Sequence, residues 1–218
     1  ILCNSITTAN DLNTFYKVPR HKLFPIKLGF NNKKYYPIKK NRQKFFLIIG
    51  RHNPHKNLER VLKAFSFAKI NDYKLVFVGS FDRRHTPSLF KIIDELNLRH
   101  LCVWKGWIDD DEKLSLLNQC QALIIASLWE GFGLPALEAM ACGTPVIASE
   151  RGALPEVMGK YGYFVNPTNI QSIASAMNLV INDKQCFEKA LHEGPARAAS
   201  FNWFDTAREI EKIILEIE

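Results

Sequence analysis

Ala122–Ser127 reads ALIIAS and runs straight into Leu128–Glu138, LWEGFGLPALE. Six apolar or small residues without alternation describe a strand buried on both faces. Gly131 and Gly133 then break the chain into a loop. Pro135 suits the first turn of a helix, and Leu137, Met140 and Ala141 give that helix a packing face. The same signature recurs on either side. Upstream stand Phe45–Gly50 (FFLIIG), Lys74–Gly79 (KLVFVG) and Leu101–Trp104; downstream stand Pro145–Ser149 and Tyr163–Val165. Amphipathic segments lie between them: Leu58, Val61, Leu62 and Phe65 share one helix face, Leu89, Ile92, Ile93 and Leu96 another, Leu114 and Leu117 a third. Asp109–Asp111 put negative charge where a helix start favours it. Alternating strand and helix predicts an α/β fold with a doubly wound parallel, Rossmann-like sheet.

Residues 1–30 read as a separate strand–helix–strand unit, with Ile1–Asn4 and Leu23–Leu28 as strands and Thr8–Tyr16 as the helix. Residues 31–44, basic and interrupted by Pro37, read as a linker. Residues 169–218 read as helical, punctuated at Gly194-Pro195. There is no internal repeat and no low-complexity tract.

Composition narrows the function classes. At 47% hydrophobic, the 218 residues can bury a full core. No apolar run reaches the roughly 18 residues of a membrane-spanning helix. Ile1–Asn10 lacks the basic start and apolar stretch of a signal peptide, and the chain, beginning without Met, reads as a piece of a longer protein. Five cysteines without a CxxC pair fit reduced thiols and a cytoplasmic setting better than disulfides or zinc. The net charge of +7 is unevenly spread. Residues 1–44 carry ten Lys and Arg against the single acid Asp11, a net +9, which leaves the rest at −2. That excludes a basic groove across the whole domain. The basic arm reads as a solvated linker, with contact to an anionic membrane surface left open and no nucleic-acid partner expected.

In open parallel sheets ligands bind beyond the carboxyl ends of the strands, so the loops there hold the candidate residues. Gly50–Asn57, GRHNPHKN, follows a strand and enters a helix; Arg51 and Lys56 can point back over the strand end and neutralise a diphosphate together with helix-start amides. Two ordinary surface cations would look the same. His52 and His55, spaced i, i+3, have no carboxylate or thiol beside them, so no metal site is expected. In the loop after ALIIAS, Glu130 can hold sugar hydroxyls or a developing positive charge, and Glu138 can accept from a ribose diol. Gly79-Ser80 and Gly106-Trp107-Ile108 end two other strands and can contact a base or a sugar, or merely turn. Arg151–Glu156 can close over a ligand or cap a helix. Gly131-x-Gly133-x-x-Ala136 with Glu150 after the next strand also fits a dinucleotide fingerprint and hence an NAD-binding oxidoreductase. Against it, Leu128, Trp129 and Glu130 separate the strand from the first glycine, and Glu130 would repel a pyrophosphate.

GRHNPHKN, VFVGS, KGWIDDDEKLSLLNQCQALIIASLWEGFGLPALEAMACGTPVIAS and GALPEV together resemble the carboxyl-terminal domain of retaining glycosyltransferases of family 4, with the GT-B fold. The form of GRHNPHKN is most similar to mannosyltransferases of polysaccharide and lipopolysaccharide assembly. The resemblance implies that residues 45–200 are a nucleotide-sugar-binding domain and that 201–218, with FNWFDTAREI, form a terminal helix. It also implies that residues 1–30 are the end of an amino-terminal domain that would bind the acceptor, a glycan or lipid-linked glycan. By the same resemblance Glu130 and Glu138 are the two acids of an E-x7-E motif, and Arg51 and Lys56 bind the donor diphosphate. Gly131, Phe132, Gly133 and Leu134 offer backbone groups to sugar and phosphate, with Gly50, Gly79 and Trp107 completing the donor site. The one Asp-x-Asp spacing, Asp109–Asp111, reads as the acidic start of a helix and not as a metal motif, so neither a metal nor another cofactor is expected. GDP-mannose is the first expectation for the donor and a UDP-sugar the second, with retention of configuration. The chain alone is expected to be incomplete for catalysis or to bind donor without turnover. Location is expected in the cytoplasm, peripheral to the inner face of a membrane.

Overall fold

A computed structural model describes residues 1–217. The chain starts with β1 (Leu2–Cys3), α1 (Ile6–Tyr16) and β2 (Phe24–Pro25), and β1 pairs in parallel with β2. The body follows in chain order: β3 (Phe45–Ile49), α2 (Leu58–Ala68), β4 (Lys74–Val78), α3 (Thr86–Glu95), β5 (Cys102–Lys105), α4 (Asp110–Gln119), β6 (Ala122–Ile125) and α5 (Leu134–Ala141). Then come β7 (Val146–Ser149), α6 (Leu154–Met158), β8 (Tyr163–Val165), α7 (Ile170–Asn182), α8 (Gln185–Ala199) and α9 (Trp203–Ile217). Six strands form one sheet in the order β5-β4-β3-β6-β7-β8, with every pair parallel. The order reverses between β3 and β6, so the loops after these two strands open at a topological switch point.

Each apolar run becomes a strand because its residues have a core on either side. Phe46 and Ile48 face α2, α3 and α7, while Phe45 and Leu47 face α4, α5, α6 and α8. Leu47 and Leu123 are fully buried, and burial of each such side chain contributes about 1.5–3 kcal/mol. Asp109 caps α4 by accepting from the Glu112 amide at 2.8 Å, as the acidic run predicted.

Three expectations need correction. The helix expected over Thr8–Tyr16 starts at Ile6, because Ser5 accepts the Thr8 amide at 3.0 Å and caps it there; the flanking strands shrink to two residues each. Gly194-Pro195 does not punctuate the carboxyl-terminal helices, since α8 passes straight through it. A side chain at Gly194 would collide with the Met140 carbonyl at 2.6 Å and with Tyr161 at 3.0 Å. The glycine is there for close packing of α8 on α5, and that packing tolerates the missing hydrogen bond of the proline. The boundary falls instead at Ser200–Asn202, before α9.

Residues 31–44 are not a solvated linker but a strap bound to the domain. Tyr35 is buried, its hydroxyl donating to Asp110 at 3.0 Å. The Ile38 amide donates to Asn118 at 2.7 Å. The mostly buried Arg42 guanidinium donates to the carbonyls of Leu117, Cys120 and Gly143 and to the Thr144 hydroxyl, all at 3.0–3.2 Å. It also lies over the Phe187 ring, 4.8 Å from its centre. The charge that suggests a free arm is thus partly spent on carbonyls at the ends of α4 and α5, where the helix dipole welcomes a cation. Arg42→Ala strands these acceptors and should lower stability by about 2–4 kcal/mol in urea denaturation. A change below about 0.5 kcal/mol, the range of an ordinary surface substitution, would show that the strap is only loosely attached.

Candidate functional site

The loops after β3, β4 and β6 lie along one edge of the sheet. At its centre Lys56 Nζ lies 2.6 Å from Glu130 Oε1, and the Ser127 hydroxyl donates to the same oxygen at 2.6 Å. Both side chains are mostly buried, Lys56 at 20% and Glu130 at 13% exposure. Lys56 closes the turn Pro54–Lys56 that precedes α2; Glu130 stands in the loop between β6 and α5. Close approach of the strand ends makes room for the pair. Gly79, at φ +137°, leaves a space where a Cβ would lie 2.2 Å from the Gly50 carbonyl oxygen. Gly50 itself lies under the Lys56 stem, which a Cβ would meet at 3.1 Å. The Glu130 backbone is held in turn by Arg151–Glu156, whose Ala153 amide donates to the Glu130 carbonyl at 2.9 Å. Glu156 accepts the Ile6 and Thr7 amides at 2.9 and 3.3 Å, so this segment caps α1.

The expected foursome does not meet as one cluster. Arg51 turns the other way, its Nη2 3.3 Å from Asp82 Oδ2, and keeps 60% of its side chain exposed. Asp82 is buried and lies below the ordinary carboxylate range, chiefly because the Arg84 amide donates to it, with Arg84 and Arg51 adding their charge. Glu138, one turn into α5, pairs with Lys113 of α4 at 2.8 Å. It is no solvated helix face: burial raises its carboxyl above the ordinary range in spite of Lys113, and its Oε2 is buried without a hydrogen-bond partner. The Lys113 ammonium also lies 4.9 Å from the centre of the Tyr35 ring. The four expected side chains therefore fall into three separate ion pairs: Arg51–Asp82, Lys56–Glu130 and Lys113–Glu138.

The remaining candidates divide. Phe132 is buried against Phe201, so only its backbone can serve a ligand. Gly133 caps α5 and Leu134, partly exposed, begins it. Trp107 is 85% exposed beyond β5 and touches none of the three pairs through a hydrogen bond or ring contact. Gly131 is not an open cradle for a dinucleotide: a Cβ there would meet the Asn4 side chain at 3.4 Å, and its carbonyl faces the Thr8 hydroxyl at 3.5 Å. His55 is exposed whereas His52 is buried among Phe77, Phe81 and Trp104, so the two do not share a site. Sequence reading passed over Asp82, Lys113, Ser127 and Tyr35. Asp82 stands two residues beyond Ser80 in a loop already singled out, and Ser127 ends ALIIAS. Lys113 and Tyr35 come from elements with no glycine signal.

A family model described as "Glycosyl transferases group 1" matches residues 31–196, including the strap. The chain belongs to the group 1 glycosyl transferases. The serotype-specific mannosyltransferase WbdA of Escherichia coli is 30% identical over 167 residues, which are 75% of this chain and 20% of that protein. The MMP alpha-(1->4)-mannosyltransferase of Mycolicibacterium hassiacum is 29% identical over 215 residues, 96% of this chain and 52% of that protein. The chain thus spans between a fifth and about half of these curated relatives. Among solved structures, sucrose-phosphate synthase from Thermosynechococcus elongatus superposes with a TM-score of 0.86 at 25% identity over 99% of this chain and 57% of that one. Anabaena HepE, solved with UDP and glucose, gives 0.89 at 20% identity over 99% and 62%, a likeness of fold alone. This group 1 chain accordingly has the Rossmann-like half of the GT-B architecture, and the oxidoreductase alternative falls. No helix among its described residues is long and apolar enough to cross a membrane.

His52 offers a check on the site's packing. Burial lowers its pKa below the ordinary histidine value, and Asp82 opposes only in part. The unfolded chain therefore binds a proton more readily than the folded one near pH 6.5, and stability should fall as pH drops through that value. The slope cannot exceed about 1.4 kcal/mol per pH unit for one proton. Melting temperatures of the wild type and His52→Phe, compared from pH 7.5 to 5, should diverge with the wild type losing more. Parallel curves would show that His52 titrates as it does in water.

Proposed function

We propose that this chain is the donor-binding half of a retaining glycosyltransferase that takes its sugar from a nucleotide-diphosphate donor. The observation that carries the reading is the Lys56–Glu130 pair, 2.6 Å apart at the switch point between β3 and β6. Breaking a sugar–diphosphate bond builds negative charge on the leaving group and positive charge on the ring. Lys56 and Arg51 stand on one loop, between β3 and α2, to meet the first. Positioned cations stabilise such a leaving group most where water is excluded. The diphosphate competes with Glu130 and Asp82 for them, and Glu130 is then free to hold sugar hydroxyls. Oε1 of Glu130 already takes two donors, from Lys56 and Ser127, which suits an orienting group better than an attacking nucleophile. Glu138, with one carboxylate oxygen unpaired beside Lys113, is suited to accept from a ribose.

Mannose is the sugar we favour because the curated relatives above are named mannosyltransferases; GDP is then the first candidate base carrier and UDP the second. The acceptor, a glycan or lipid-linked glycan in polysaccharide or lipopolysaccharide assembly, would be held largely by residues of an amino-terminal domain. Residues 1–30 would be the end of that domain. In this reading the donor site works without a metal, and the protein acts in the cytoplasm at the membrane face.

Calorimetry with GDP, UDP, GDP-mannose and UDP-glucose tests the assignment. Arg51→Ala and Lys56→Ala should each weaken the preferred ligand about 10- to 100-fold, the worth of a charged hydrogen bond. Glu138→Ala should weaken nucleoside and nucleotide alike by about tenfold. If all three variants bind every ligand as the wild type does, the site lies elsewhere.

A further inference from the structure

Lys56 is a flexible side chain that must meet one oxygen of a carboxylate 74 residues away. Something has to set the register of the two loops. The next residue, Asn57, is 4% exposed and adopts the left-handed conformation, φ 58° and ψ 32°. Its carbonyl accepts the Arg60 and Val61 amides at the start of α2, at 3.1 and 3.3 Å. Its side chain does not cap that helix. Instead Nδ2 donates to the Ala126 carbonyl at 2.8 Å and to the Pro167 carbonyl at 2.7 Å, while Oδ1 accepts from Arg60 at 2.9 Å. One amide thereby ties the loop after β3 to the loops after β6 and β8. The Ala126 carbonyl directly precedes Ser127, whose hydroxyl holds Glu130. A backbone bond runs alongside, from the Leu128 amide to the His55 carbonyl at 2.7 Å.

We infer that Asn57 is a positioning residue that registers Lys56 against Glu130 by clasping the loop after β3 to the loop after β6. Asparagine fits the task on two counts. It tolerates the left-handed conformation better than most residues with a side chain. Its amide also offers two hydrogens to two buried carbonyls, whereas an aspartate would oppose both with negative charge. The inference rests on the donor-site reading for its effect on binding, but the clasp itself does not depend on any ligand.

Asn57→Gly keeps the backbone conformation and removes the clasp; Asn57→Asp keeps the shape and reverses the polarity. Without ligand, hydrogen exchange at the Leu128 amide should quicken about tenfold or more in Asn57→Gly, because the parallel backbone bond loses its support. Exchange unchanged there overturns the inference even if the protein binds no nucleotide. With the nucleoside diphosphate that the wild type prefers, Asn57→Gly should weaken binding about tenfold while leaving the nucleoside unaffected. In the Lys56→Ala background the same change should cost nothing further, since both act through one group. Additive losses, or equal losses for nucleoside and diphosphate, would mark Asn57 as a general structural residue and overturn the inference. Asn57→Asp should resemble Asn57→Gly or be worse; wild-type exchange and binding in Asn57→Asp would also refute it. A wild type that binds no nucleotide, with exchange at Leu128 still quickened, removes the donor reading and leaves the clasp standing.

Discussion

Lys56 and Glu130 belong to loops that leave the sheet at neighbouring strands, β3 and β6, where the strand order reverses. Two opposite charges, both mostly out of water, are stable there only because each has a partner. Removing one leaves the other unpaired at a cost well above the worth of a surface pair. The surroundings follow from that constraint. Gly79 and Gly50 bring the strand ends close enough for the lysine stem to pass. Ser127 supplies the second donor to the carboxylate, and the Ala153 amide pins the Glu130 carbonyl.

Arg51 and Glu138, the other two expected side chains, stand in ion pairs of their own along the same edge. Arg51 is largely open to solvent beside Asp82, whereas Glu138 is sunk between α4 and α5 against Lys113. The loop after β3 thus carries one exposed cation, Arg51, and one sheltered cation, Lys56. Glu138 keeps one buried carboxylate oxygen without a hydrogen-bond partner. Residues 1–30 touch this edge through Glu156 and Gly131, so the amino-terminal unit packs against the loops that hold Glu130.

Much of this was legible because buried parallel strands are written as uninterrupted apolar runs. All six expected strands of the main sheet are present within a residue or two of their predicted ends. Glycines beside strand ends mark where backbone must turn, and the loops they open carry Lys56 and Glu130, which the fold pairs. Gly194-Pro195 reads as punctuation because local sequence does not reveal the α5 surface on which the glycine packs. Residues 31–44 misled because Lys and Arg read as solvated, although Arg42 finds three carbonyls and a hydroxyl on the domain.

From its amino-acid order alone this protein determined the succession of strands and helices, the loops that must share one edge, and the residue types gathered there. Those properties follow from apolar periodicity and turn chemistry, which act over a few residues. Which cation meets which acid was decided only by tertiary structure. Lys56 pairs with Glu130 across 74 residues, and Lys113 with Glu138 across 25. Charge pairing depends on a distance of a few ångströms between loops, and only the packed sheet sets that distance.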